Sequence, residues 1–144
     1  MRATVARWSH LAWSHNFPSD TEQTYLDLYE TASHDGNSLP YVCVALNVGN
    51  KPIATATLID NDELPGFENL SPWLAALWVE PDYRHQGIAN ALVRHIEDVA
   101  SNLGYKRLFL YTHDQQHWYQ RHSWKEIGEG KLMHENVTVM SKFL

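Results

Sequence analysis

The residue pattern predicts one α/β (α+β) domain, a mixed sheet of about six strands flanked by about four helices. Three observations carry that expectation. The stretch Trp73 to Val79, WLAALWV, is apolar without a 3.6-residue period, which reads as a strand buried on both faces. Beyond it Ile88, Leu92, Ile96, Val99 and Leu103 recur at steps of four, four, three and four, one face of a helix laid on a sheet. Around this pair the chain runs in the order helices, hairpin, central strand, crossover helix, strand, helix and two final strands.

Composition bounds the rest. At 144 residues, with 44% hydrophobic and 19% charged residues, the chain reads as a single soluble domain over 1–144 able to bury a sizeable core. No apolar run approaches the ~20 residues of a membrane span, and MRATVARWSH lacks the apolar core of a signal peptide, so a cytoplasmic location is expected. A net charge of -6 without a basic stripe argues against nucleic acid and mildly favours a cationic acceptor. The single Cys43 lies in YVCVALNV, where a buried, inert thiol outweighs a nucleophile.

The elements follow in order. Thr4 to Asn16 carries Val5, Trp8, Leu11 and Ala12 at helical spacing; Asp20 or Thr21 can cap a second helix to about Ala32. The repeated Trp-Ser-His of Trp8–His10 and Trp13–His15 reads as core anchoring rather than a metal site, because a five-residue step does not put His10 and His15 on one face. Tyr41 to Val48 and Pro52 to Asp60 form a hairpin about Gly49-Asn50-Lys51. Asn61 to Ser71, with Pro65-Gly66, reads as a mobile connection. After Gly104 stops the crossover helix, Lys106 to Thr112 is a strand, and Asp114 is placed to cap a helix from Gln115. Ile127-Gly128 and Asn136 to Lys142 are the closing strands, with Gly130 at their connection.

The chemistry lies between the central strand and the helix. In Arg84-His85-Gln86-Gly87-Ile88-Ala89, Gly87 has no side chain and Ala89 a small one, where a helix N-terminus offers unpaired N–H groups and its positive dipole end. That is a pyrophosphate cradle. It lacks the Lys-Ser/Thr of a P-loop and the glycine spacing of a dinucleotide fingerprint.

Arg84-x-x-Gly87-x-Ala89, after a strand ending Val79-Glu80-Pro81, resembles the R/Q-x-x-G-x-G/A signature of the GNAT (Gcn5-related) acyl-CoA N-acetyltransferases. WYQRHSW (118–124) is similar to that family's F/Y-Y-x-x-x-G-F/W element, and VTVMSK (137–142) to its final strand. Thr112 to Tyr119, THDQQHWY, resembles the T-H-D-Q-x-H-F-Y of the enzymes that acetylate the N-terminus of mature actin. The resemblance implies a GNAT fold whose sheet splays at the cofactor site, and acetyl-CoA as co-substrate with no metal. It implies a primary amine as acceptor, a small molecule or a peptide N-terminus, attacking the thioester directly. It assigns Leu77, Trp78 and Val79 to the pantetheine arm and thioester, and Arg84, His85, Gln86, Gly87, Ile88, Ala89 and Asn90 to the pyrophosphate. Thr112 and Gln115 would flank the pantetheine, and Tyr119 would point its hydroxyl at the sulfur as general acid. Without the family context Tyr119 would read as a packed core aromatic.

Three features depart from the family pattern. The usual first strand is missing, leaving a sheet edge on which a second copy could pair as a homodimer, or simply a shorter fold. Ser123 stands where relatives have glycine, at little cost if its backbone angles are ordinary. Ala75 and Ala76 occupy the strand where several relatives carry a glutamate base. The amine's proton can then leave to water, to Glu80 or to a histidine, of which His113 is preferred over His117, since an imidazole of ordinary pKa about 6.5 suits the task. The alternative from another class is a non-catalytic acyl-CoA-binding sensor, supported by the missing base and opposed by Tyr119.

Overall fold

The structure is a computed structural model that describes residues 38–144, with Thr4 and Gly36. The two helices expected before residue 33, and the expectation that the family's first strand is missing, lie outside the described residues. Six strands form one sheet in the order β1-β2-β3-β4-β6-β5, where β1 is Tyr41–Leu46, β2 Pro52–Ile59, β3 Trp73–Val79, β4 Arg107–Thr112, β5 Lys125–Leu132 and β6 Glu135–Phe143. Helix α1 (Ile88–Asn102) crosses between β3 and β4, and α2 (Gln116–Arg121) lies between β4 and β5. The expectation of about four flanking helices is corrected to two α-helices among the described residues, with a single 3-10 turn at Pro81–Tyr83. No helix among them is long and apolar enough to cross a membrane.

The hairpin forms as its turn chemistry dictates: Asn47 N donates to Lys51 O at 2.9 Å, and Asn50 takes the left-handed φ of 62° that asparagine tolerates. Helix α1 buries Leu92, Val93, Ile96, Val99 and Ala100 against Ala54, Ala56, Leu58, Leu74, Leu108, Leu110 and Met140. The small alanines on β2 let the helix approach, and each large side chain so buried contributes about 1.5–3 kcal/mol. Gly104, at φ 95°, ends the helix, with its N–H bonded to Ser101 O and that of Tyr105 to Ala100 O. Lys142 Nζ on β6 reaches Glu97 Oε1 on α1 at 2.7 Å.

The opposite sheet face is covered by a segment expected to be a mobile connection. Within Asn61 to Ser71, Leu64 is 1% exposed and packs with Phe67 and Leu70 on Trp73, Phe109, Val137 and Val139. Local turns, Phe67 N to Leu64 O and Leu70 N to Phe67 O, satisfy its backbone. The apolar residues every third position therefore make this stretch a small second core. Gly130, expected at a connection, lies inside β5, because a Cβ there would stand 2.9 Å from Leu64 Cδ2. The β5–β6 turn instead falls at Met133-His134.

Two irregularities shape the centre of the sheet. β3 and β4 run parallel and pair at Trp73 and Phe109, with no register pair beyond. Opposite β2, Thr57 pairs with Ala75 and Thr55 with Trp78, so Ala76 and Leu77 together face one residue, a bulge that sets Ala76 at φ 53°. The strand expected to be buried on both faces is therefore buried at Trp73, Leu74 and Val79 and half-exposed from Ala75 to Trp78. A cleft occupies the opened space.

Candidate active site

The cleft has a volume of about 1430 Å³ and lies at the C-terminal ends of the parallel strands β3 and β4, the position where α/β sheets bind ligands. One wall is Ala75 to Val79, beyond the point where β3 and β4 pair at Trp73 and Phe109. The floor is the start of α1. Gly87 is its N-cap at φ 85°, no side chain among the described residues caps the helix, and a Cβ at Gly87 would meet nothing within 4 Å. His85, at φ 63°, precedes it, so the loop turns its backbone inward through two left-handed residues. Bare first-turn N–H groups and the dipole end of a fifteen-residue helix together favour an anion.

Arg84 holds this loop to the strand. Its Nε donates to Val79 O at 2.8 Å, and its guanidinium lies 4.8 Å over the Trp78 ring. The far wall comes from β4 and α2. Thr112 is buried, and its Oγ1 accepts the Gln115 N–H at 3.1 Å; Gln115 is the N-cap of α2, without a side-chain cap bond, where Asp114 is the cap expected from the sequence. Tyr119 is 8% exposed, with its ring 5.0 Å from Trp118 and 5.9 Å from Trp124. Burial pushes its phenol well above the usual value, and among the described residues no hydrogen bond holds its hydroxyl. The group is a retained proton in an apolar wall.

Of the expected cofactor residues, Leu77, Trp78, Val79, Arg84, His85, Gly87, Ile88, Ala89, Asn90, Thr112 and Gln115 all line the cleft. Gln86 does not; it is exposed and reaches back to Asp82 O at 3.5 Å. Tyr119 and His113 line it as well, whereas Glu80 and His117 do not. Glu80 Oε1 accepts from Trp78 Nε1 at 3.3 Å. His113 Nε2 lies 2.7 Å from Glu135 Oε2, a partner with no signal in the sequence because it arrives from another strand.

Sequence reasoning missed Thr57, Asp62 and Glu135, all of which line the cleft. The acidic run Asp60, Asp62, Glu63 straight after β2 was the available sign for Asp62. Ser123 is a correction of another kind: its φ is 73°, so the position is left-handed and its angles are not ordinary. Cys43 is half-buried and its thiol is pushed up to about 11 by burial, in keeping with an inert core cysteine. Among the described residues no cluster of three or more His, Cys, Asp or Glu could hold a metal ion.

The model of the acetyltransferase (GNAT) family matches residues 4–124. The chain belongs to that family. Among solved structures, a GNAT-family acetyltransferase of Staphylococcus aureus Mu50 superposes with a TM-score of 0.74 at 20% identity, over 99% of this chain and 92% of that one. An aminoglycoside 6'-N-acetyltransferase complexed with coenzyme A gives a TM-score of 0.74 at 13% identity, over 99% and 89%. At such identities the likeness shows the GNAT fold alone. An amino-acid acetyltransferase of Azotobacter vinelandii is 41% identical over 59 residues, 41% of this chain. That stretch spans 14% of the relative's length. The splayed β3–β4 pair and the bare α1 N-terminus are thus parts of a GNAT domain, whose family chemistry is acyl-CoA-dependent N-acetyl transfer.

Proposed function

We propose that this GNAT domain moves an acetyl group from acetyl-CoA to a primary amine, by direct attack of the amine on the thioester. The observation that carries the reading is one cleft that joins a helix N-terminus, a strand that parts from its parallel neighbour after Trp73 and a buried tyrosine. These fit the co-substrate's parts: the α1 N–H groups and the glycine-sized space at Gly87 suit a pyrophosphate, and the open β3 backbone suits an amide-bearing arm. Acetyl-CoA, when bound, supplies the acetyl group as a thioester.

The chain's own groups then divide the work. Ala75 to Val79 orient the arm through backbone, and Thr112 and Gln115 flank it. Tyr119 keeps its proton until a thiolate departs, then donates it, which its desolvated phenol is placed to do. His113, fixed by Glu135, is the side chain proposed to pass the amine's proton toward solvent through water. The relatives named above act on an amino acid and on an aminoglycoside, and both acceptors offer an amine. The likeness of THDQQHWY to the actin N-terminal acetyltransferases supports a peptide N-terminus as acceptor, and a homodimer belongs to the same proposal. Thiol release from acetyl-CoA, followed with a panel of amines and N-terminal peptides, tests the activity. Tight acetyl-CoA binding without release for any amine would favour a non-catalytic sensor instead.

A further inference from the structure

The central strand carries alanine where a carboxylate would be convenient, yet the cleft holds one from elsewhere. Thr57 on β2 is the register partner of Ala75, directly beside the bulge at Ala76. Its Oγ1 is fully buried and has no hydrogen-bond partner among the described residues, although the residue lines the cleft. A hydroxyl desolvated without a partner costs about 1–3 kcal/mol, so this one calls for a polar ligand. Asp62, three residues past Ile59 at the end of β2, lines the same cleft, and among the described residues no hydrogen bond holds its carboxylate. Thr57, beside Ala75, and Asp62, just past the end of β2, thus line one cleft, and neither side chain has a hydrogen bond among the described residues.

We propose that Asp62 is the proton acceptor for the attacking amine, with Thr57 Oγ1 fixing the same nitrogen. This rests on the acetyl-transfer reading above and names the base that reading lacks. The substrate nitrogen arrives as an ammonium ion and is drawn to the only carboxylate that β2 and its following loop bring into the cleft among the described residues. One N–H bond breaks as an Asp62 Oδ–H bond forms, and the electron pair left on nitrogen forms the C–N bond to the acetyl carbon; the C–S bond then breaks, the thiolate takes the Tyr119 proton, and the second proton shed by the new amide nitrogen restores the phenol. The carboxyl then returns its proton to water, with His113 as the onward relay, before the next turnover. Burial in the cleft wall raises the Asp62 carboxyl above its ordinary value, and Glu63 beside it adds to the rise, which is the direction that suits a group that must both accept and release a proton. The other titratable groups lining the cleft are Tyr83, Arg84 and His85 ahead of α1, Tyr111, His113 and Asp114 from β4 and its end, Tyr119 and His122 from α2 and its end, and Glu135 from the start of β6. The substrate class follows: an amine presented without a carboxylate of its own beside the nitrogen, since Asp62 and Glu135 would repel one.

Methylamine and spermidine serve as probe acceptors, with the whole chain and saturating acetyl-CoA. Asp62→Asn should lower kcat/KM for the amine by roughly 100-fold or more, while acetyl-CoA affinity by calorimetry stays at the parent value. Asp62→Glu should recover part of the loss, and Thr57→Val should lose less than Asp62→Asn. The acidic limb that persists in the kcat/KM profile of His113→Ala should vanish in Asp62→Asn. An Asp62→Asn rate within about threefold of the parent, or a parallel fall in acetyl-CoA affinity and melting temperature in both Asp62→Asn and Asp62→Glu, overturns the inference. In that case parental turnover still stands, so the acetyl-transfer reading survives. A parent that releases no thiol with any amine overturns both.

Discussion

His113 Nε2 stands 2.7 Å from Glu135 Oε2, so the first residue of β6 fixes an imidazole just past the last residue of β4. The pair bridges two strands that lie side by side in the sheet, and both members line the cleft. If the ring relays a proton, its orientation matters as much as its presence. His113→Ala should lower kcat by roughly 10²-fold, and Glu135→Gln by less, with acetyl-CoA affinity unchanged in both. Parental kcat in His113→Ala would reduce the pair to a structural tie.

Tyr119→Phe should cut kcat by roughly 10²–10⁴-fold and leave acetyl-CoA affinity nearly intact, because the proton is needed only as the thiolate departs. The same residue has a signature in stability. Its folded-state pKa lies above the unfolded value of 10.0, so the folded chain holds the proton more tightly. That contribution is fully present below pH ~10 and is lost as pH rises through the raised value. Urea midpoints measured from pH ~8 to ~11 should fall at the alkaline end in the parent and fall less in Tyr119→Phe.

Ser123 occupies a left-handed position at φ 73°, directly after α2, where glycine is unstrained. Ser123→Gly should therefore raise stability by about 1 kcal/mol, the αL strain relieved less the added freedom of the unfolded chain. A melting temperature equal to or below the parent's would contradict this reading.

Gly87 combines an exposed φ of 85° with open space around its Cβ direction. Gly87→Trp should lose most acetyl-CoA affinity in calorimetry, since the indole would fill the mouth of the helix N-terminus. The backbone strain of a left-handed non-glycine residue should take about 1–2 kcal/mol from stability without unfolding the chain. Unaltered affinity would remove the pyrophosphate from this loop.

Cys43 should alkylate slowly. Its thiol is pushed up to about 11 by burial, so its thiolate fraction at neutral pH is roughly 10²-fold below that of a free cysteine near 8.5. Iodoacetamide labelling of the native chain at the rate of a free thiol would show the β1 environment to be open.

The sequence by itself determined the parts whose signals are local. Strand, loop and helix from Trp73 to Asn102, the hairpin about Asn50, and β4 from Arg107 to Thr112 follow from periodicity, turn residues and β-formers within a few positions of each other. The loop's small residues pointed to Gly87 and Ala89, and the family resemblance to Tyr119; all three line the cleft. Tertiary structure decided what depends on partners distant in the chain. Whether Ala75 to Trp78 are core or cleft turns on β3 and β4 parting after Trp73 and Phe109, which no residue in WLAALWV signals. The loop Asn61 to Ser71 became a packed cover because Leu64 found Gly130, and the entry to α2 is held by Thr112 rather than Asp114 because the strand end carried its hydroxyl to Gln115 N. Asp62, Thr57 and Glu135 entered the site the same way. A carboxylate's chemistry is set by how much water and which charges surround it, and only the fold brings those neighbours together.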